Sequence, residues 1–172
     1  LVLSLISINF YEVIDDIKLI NDLIFILFLF FLFNLFGLII LGDSGAYLIS
    51  IFIGVFLINL SNLNENISPF FIILLLWYPC FELLFSMIRR YLKATKTYKP
   101  DNFHLHQLIY KFVKNKLNLK NNLIVHFFTS SIINLYNLAI FLLAINNEYD
   151  SKFIICLIIF NLIIYISFYK FF

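Results

Sequence analysis

Apolar runs of membrane length recur along this chain and constrain its fold more than any other feature. About 20 apolar residues in a helix cross the hydrocarbon core of a bilayer, and five segments come close to that length: 23–41, 44–60, 69–88, 123–145 and 153–172. A water-soluble domain needs enough polar surface to cover its core, and ordinary chains are about a quarter charged. Here 13% of the 172 residues are charged and 63% are hydrophobic. The expected fold is all-α: a polytopic helical bundle of about five spans in a single membrane domain, residues 1–172. A short amphipathic helix is expected on a basic loop, 89–122. Cys80 and Cys156 fall inside apolar runs without ligand spacing and read as small buried hydrophobes. The chain opens on Leu1 with no basic leader ahead of an apolar core, and residues 1–10 could end an earlier span. It is expected to be a C-terminal fragment of something longer.

The net charge of +2 says little, but its distribution orients the bundle. Arg89, Arg90, Lys93, Lys96, Lys99, Lys111, Lys114, Lys116 and Lys120 all lie in one loop, which should therefore be cytoplasmic. The preceding loop, SNLNENIS, carries Glu65 and no basic residue, as an outer loop should. One span earlier, the turn at 41–45 returns to the cytoplasmic side. Segment 11–22 holds Glu12, Asp15, Asp16 and Asp22 against Lys18 and falls outside, as does the 146–152 loop with Glu148 and Asp150. The Asp15–Asp16 pair is thus expected on the face away from the chemistry. Two polar motifs share the cytoplasmic face.

The first is LGDSGAY, 41–47, at a tight connection between spans, where Gly37, Gly42 and Gly45 allow close approach and positive φ. Asp43 there can be an N-cap for the next helix. It can also be a Mg²⁺ ligand, since magnesium takes one or two carboxylates together with substrate phosphates. The second motif is RRYLKATKTYKPDNFHLHQLIYKF, 89–112. Lys99–Pro100–Asp101–Asn102 reads as a turn into a helix capped by Asp101 or Asn102. Leu105, Leu108, Ile109 and Phe112 then form one apolar face. His104 and His106 open that helix. Residues two apart on a helix point about 200° away from each other, so both imidazoles serve one site only if the stretch is still extended. Among Arg89, Arg90 and Lys99 they suit phosphate or pyrophosphate; a basic loop resting on anionic lipid has the same composition.

Inside the spans, Pro79 should kink 69–88. Glu82 is an ionisable residue within the membrane, which marks either a functional site or a polar bond to a neighbouring helix. His126, alone at the start of 123–145, reads as an interfacial residue.

Three stretches taken in order, FNLFGLIILGDSGAYLIS (33–50), WYPCFELLFSMIRR (77–90) and PDNFHLHQL (100–108), resemble the polyprenyl-phosphate N-acetylhexosamine-1-phosphate transferases. That family includes enzymes that initiate lipid-linked envelope polysaccharides and the phospho-MurNAc-pentapeptide transferase. The resemblance implies a multi-pass enzyme of the bacterial inner membrane, with its active face cytoplasmic. It would move a sugar-1-phosphate from a UDP-sugar to polyprenyl phosphate with Mg²⁺, releasing UMP. By the same resemblance Asp43 would ligate Mg²⁺, and His104 and His106 would act on substrate phosphate. Arg89, Arg90 and Asp101 would line the phosphate site. A homodimer is compatible with it, and nucleic acid is not an expected partner.

The sequence departs from the family pattern in places. Leu38 and Ile40 stand where the family often has Lys and Phe, Glu82 where many members have Asp, and Gln107 where a longer histidine run would continue. The family's cytoplasmic Asp–Asp and Asn/Asp-Gly motifs are not recognisable in 1–32, so half of the active site is expected upstream of Leu1. Two other readings fit the composition: a transporter or channel fragment using Glu82 and Pro79 in a polar pathway, and an inactive paralogue that binds polyprenyl phosphate.

Overall fold

The computed structural model describes residues 3–4, 17–92, 103–118 and 121–172, and its contacts divide the chain into two units, Leu1–Ile72 and Ile73–Phe172. Seven helices are described and no strand among those residues: α1 Ile17–Leu35, α2 Gly42–Leu63, α3 Pro69–Leu75, α4 Trp77–Leu92, α5 Leu105–Leu117, α6 Asn122–Ile145 and α7 Ser151–Phe171. The all-helical expectation holds. Three of the helices, α2, α6 and α7, are long and apolar enough to cross a membrane, or four spans if the bent pair α3–α4 counts as one. Five is therefore not reached among the described residues. Much of the apolar surface faces outward, with Phe25 62% and Ile58 61% exposed. Patches of that extent on an isolated chain mark surface meant for lipid or for other protein.

In the first unit, α1 begins six residues before the expected span and stops at Leu35. Gly37 causes the stop. With φ at 69° it takes the left-handed conformation open to glycine, while the Gly37 N–H donates to Asn34 O (2.9 Å) and the Leu38 N–H to Phe33 O (3.1 Å). That pair of bonds closes a helix in the Schellman manner. The Asn34 side chain adds a bond to Ile39 O. A small core of Leu3, Ile20 and Phe56, backed by Leu23, Leu27 and Ile53, ties α1 to α2.

In the second unit the kink expected at Pro79 lies three residues earlier. The chain breaks at Leu76, and α3 and α4 diverge by 73°. The physical reason is still Pro79. Its ring clashes with the carbonyl four residues back, that of Leu75, and it has no N–H to donate there. The helix ends at that carbonyl, and Pro79 becomes the third residue of α4, where an N–H would have no partner in any case. Beyond the break, α5 packs chiefly on α6, with further contacts from both to α7. Asn121 caps α6 by accepting from Leu123 N–H, and Asp150 caps α7 by accepting from Lys152 N–H and Phe153 N–H. Cys80 and Cys156, expected buried, are exposed on outward helix faces. A small sulfhydryl is apolar enough to face hydrocarbon as readily as core.

Candidate functional site

Glu82 is the centre of a polar cluster in the second unit. It lies in α4, one turn after Pro79, and is only 9% exposed. A buried carboxylate is stable only when its lone pairs are taken, and three donors converge on this one. Glu82 Oε1 accepts from Leu105 N–H (3.0 Å) and stands 3.0 Å from His104 Nδ1, while Oε2 accepts from Tyr165 O–H (2.7 Å). One side chain thus joins α4, the opening of α5 and the middle of α7. Phe81 and Phe85 meet Tyr165 edge-on at 4.9 and 5.3 Å and exclude water from the cluster. Of the two roles open to Glu82, the structure forms the helix-to-helix bond.

That anchor decides how the histidines sit. His104, in extended backbone (φ −77°, ψ 148°), is the N-cap of α5. The cap expected at Asp101 or Asn102 is therefore supplied later in the chain; both of those residues lie outside the described ones, as do Lys99 and the Asp15–Asp16 pair. Gln107 Oε1 accepts from the His104 N–H at 3.4 Å, one arm of a capping box. Because His104 is extended and His106 is one residue into the first turn, the two rings stack rather than diverge, with centroids 5.6 Å apart and planes 14° from parallel. The rings share a face although only His104, and not the whole stretch, is extended. Burial holds the His106 pKa below its ordinary 6.5, with nearby Glu82 opposing the shift and His104 adding to it.

A stability consequence follows with its sign. A histidine whose folded pKa is lowered binds fewer protons than the unfolded chain as pH falls below about 6.5. Its contribution is whole above that value and declines as pH drops toward the folded value. Thermal unfolding of the detergent-solubilised chain should therefore move down between about pH 7 and pH 5, and His106→Gln should shallow that slope. An unchanged slope in the variant would remove His106 as a source of acid sensitivity.

Arg89 occupies the last turn of α4. Its guanidinium donates to Phe103 O and to Tyr169 O–H, and it lies over both rings, 5.8 and 5.4 Å from their centroids. It fastens the entry of α5 to the end of α7. Arg90 beside it is half-buried.

Asp43 belongs to the first unit. The N-cap reading fails there, because α2 starts at Gly42 (φ 66°), its cap position is Leu41, and no side chain caps it. Asp43 is instead in the first turn, exposed, where its charge favours the helix dipole. Among the described residues its carboxylate forms no hydrogen bond or ion pair, and no group of three or more His, Cys, Asp or Glu able to hold a metal occurs among them. A lone exposed carboxylate fits magnesium's habit of taking few protein ligands and keeping water or phosphate for the rest.

A second feature was not expected from sequence. A pocket of about 600 Å³ opens between α5 and α6, lined by Tyr78, His106, Lys111, His126, Ser130 and Asn134 among others. His126, read as a lone interfacial residue, stacks on Tyr110 at 4.5 Å and forms part of this wall. The signal was present: His126, Ser130 and Asn134 recur every four residues and so share one face of an otherwise apolar span.

Compared with protein-family models, curated proteins and solved structures, the chain matches none.

Proposed function

We propose that this chain is part of a bacterial inner-membrane phosphoglycosyl transferase, moving a sugar-1-phosphate from a UDP-sugar to polyprenyl phosphate at the cytoplasmic face. The observation that carries the reading is the stacked His104–His106 pair held at the N-terminus of α5 by Glu82. Two imidazoles on one face at a helix start, where the helix dipole favours negative charge, suit an anion, in the segment where the resemblance expects the substrate phosphates. The nine basic residues of the 89–122 segment support the cytoplasmic side.

In such a reaction an oxygen of the polyprenyl phosphate attacks the sugar-bearing phosphorus. The new P–O bond forms as the pyrophosphate P–O bond breaks, and its electron pair leaves with UMP. Little covalent work falls to the protein, which positions groups and neutralises charge. Bound magnesium would supply Lewis-acid stabilisation of the pyrophosphate oxygens, with Asp43 as this chain's ligand to it. His104, its Nδ1 committed to Glu82, would present Nε2 outward. His106, kept neutral near pH 7 by burial, would donate one hydrogen bond to phosphate without carrying a positive charge. Arg89 would keep the entry of α5 seated, and by the resemblance Arg90 and Asp101 would serve the substrate phosphates. A homodimer is compatible with this arrangement.

The test is a transfer assay with UDP-sugars, polyprenyl phosphate and Mg²⁺. The protein as its cell makes it should turn over with at least one UDP-sugar, and only in the presence of Mg²⁺. Silence with every UDP-sugar tried would sink the transferase reading.

A further inference from the structure

The pocket between α5 and α6 has a chemistry of its own. Its one formal charge is the Lys111 ammonium, set beside the imidazoles of His106 and His126, and no carboxylate lines it among the described residues. A solvated cavity wall for a cation would be expected to carry at least one acid; this wall selects against one. The hydroxyls opposite are configured the other way round. Thr129 donates its O–H to Val125 O (2.8 Å) and Ser130 donates to Phe127 O (3.0 Å), so both oxygens remain as acceptors only. The Tyr78 hydroxyl oxygen is buried at the same wall, close to the Glu82 carboxylate. Asn134 adds an amide that can donate and accept. The matching ligand carries negative charge and hydroxyl groups together.

The surroundings identify where that ligand comes from. The α5 helix carries Lys111, Lys114 and Lys116 beside exposed Phe112 and Leu117, the make-up of a helix lying in a membrane interface. The α6 helix is long and apolar enough to cross the bilayer. A pocket between two such helices lies at the depth of lipid headgroups. Beside it an apolar cavity of about 220 Å³ shares Tyr78 and Ile133 as walls and is completed by side chains such as Trp77, Ile109 and Phe168. A soluble phosphate ester has no use for that cavity, whereas a lipid has a hydrocarbon chain attached next to its headgroup.

We propose that the α5–α6 pocket seats the phosphate and hydroxyls of an anionic membrane lipid with a hydroxylated headgroup, Lys111 and His126 meeting the phosphate and Thr129 and Ser130 accepting from the hydroxyls. Such a lipid would hold the interfacial helix against the span. The inference does not depend on the transferase reading, because it concerns a lipid that is not consumed.

The experiment is lipid binding to the full purified chain in a neutral maltoside, read by non-denaturing mass spectrometry. Phosphatidylglycerol should bind at least about tenfold more tightly than phosphatidylcholine, a difference of about 1.4 kcal/mol. Lys111→Gln should lower phosphatidylglycerol binding roughly tenfold, and Thr129→Val with Ser130→Ala should do so by a similar factor, while Lys152→Gln, in the first turn of α7 and outside the pocket lining, leaves it unchanged. Lys111 is exposed, so its variant tests the pocket without unfolding the helix. Equal binding of the two lipids, or full binding by Lys111→Gln, overturns the proposal. Displacement of the lipid by millimolar glycerol phosphate overturns the membrane source, and binding of dodecyl phosphate as tight as that of phosphatidylglycerol overturns the role of the hydroxyls. None of these outcomes bears on turnover, so the proposal and the transferase reading can fail separately.

Discussion

Replacing Glu82 with alanine is expected to cost about 3–5 kcal/mol of stability, the range for breaking a buried charged network by removing one member. The loss is large because three donors depend on one carboxylate. Leu105 N–H, His104 Nδ1 and Tyr165 O–H all point at it, and with Tyr165 only 1% exposed, water cannot replace what is lost. Glu82→Gln keeps the shape and at least one acceptor, so its cost should be nearer 1–2 kcal/mol, on the scale of a charge-assisted bond reduced to a neutral one. The two variants together separate packing from charge. The measurement is thermal unfolding in detergent above pH 7, where His106 is not protonated in either state. Amide exchange should meanwhile accelerate at the start of α5 more than in the middle of α6. An alanine variant within about 1 kcal/mol of the parent would mean that water or a rearranged His104 satisfies the cluster.

Asp43→Asn, made in the protein as its cell makes it, is the second large effect. It removes the charge a divalent cation needs while keeping size and hydrogen-bonding capacity. If Asp43 ligates magnesium, turnover should fall by roughly 100-fold or more, the scale of removing one key electrostatic contact in a transition state, and higher Mg²⁺ should recover only part of it. Stability should barely change, since the carboxylate is exposed and forms no bond among the described residues. His104→Gln offers the contrast: weaker phosphate contact, unchanged magnesium dependence, and a measurable loss of stability through Glu82. Full turnover and an intact Mg²⁺ requirement in Asp43→Asn would remove the metal role, and with the cap role already absent nothing chemical would be left for this residue.

The helices and their apolar faces were legible because hydrophobic periodicity and run length are local properties. The ends of α2, α6 and α7 fall within a few residues of expectation for that reason. The ends of α1 were not legible. Its apolar run continues through Ile39, Ile40 and Leu41, and composition cannot reveal that Gly37 takes positive φ and closes the helix ahead of them. The break at Leu76 was foreseen in cause and misplaced in position, because a proline's effect is felt one turn before its own place in the sequence. Glu82 and the histidines were visible as residues, but their partnership was not: 22 positions separate Glu82 from His104 and 83 separate it from Tyr165. Nothing local in the sequence encodes a pairing of that range. The α6 stripe of His126, Ser130 and Asn134 is local and legible in the sequence, but single polar residues four apart in an apolar span carry little signal on their own.

The break between α3 and α4 also sets how this protein meets the bilayer. Rising 1.5 Å per residue, α2, α6 and α7, with 22, 24 and 21 residues, reach about 32–36 Å. The α4 helix, with 16 residues, reaches about 24 Å. The seven residues of α3, turned aside by 73°, add only about 3 Å along the same direction. The bent pair therefore reaches about 27 Å, short of a hydrocarbon core of about 30 Å. Where the bent pair crosses as one span, lipid beside it has to thin by a few ångströms or let water rise to the freed carbonyls near Leu75. A membrane of saturated, longer chains would resist that thinning, so the host bilayer's thickness should bear on this pair more than on α2, α6 or α7.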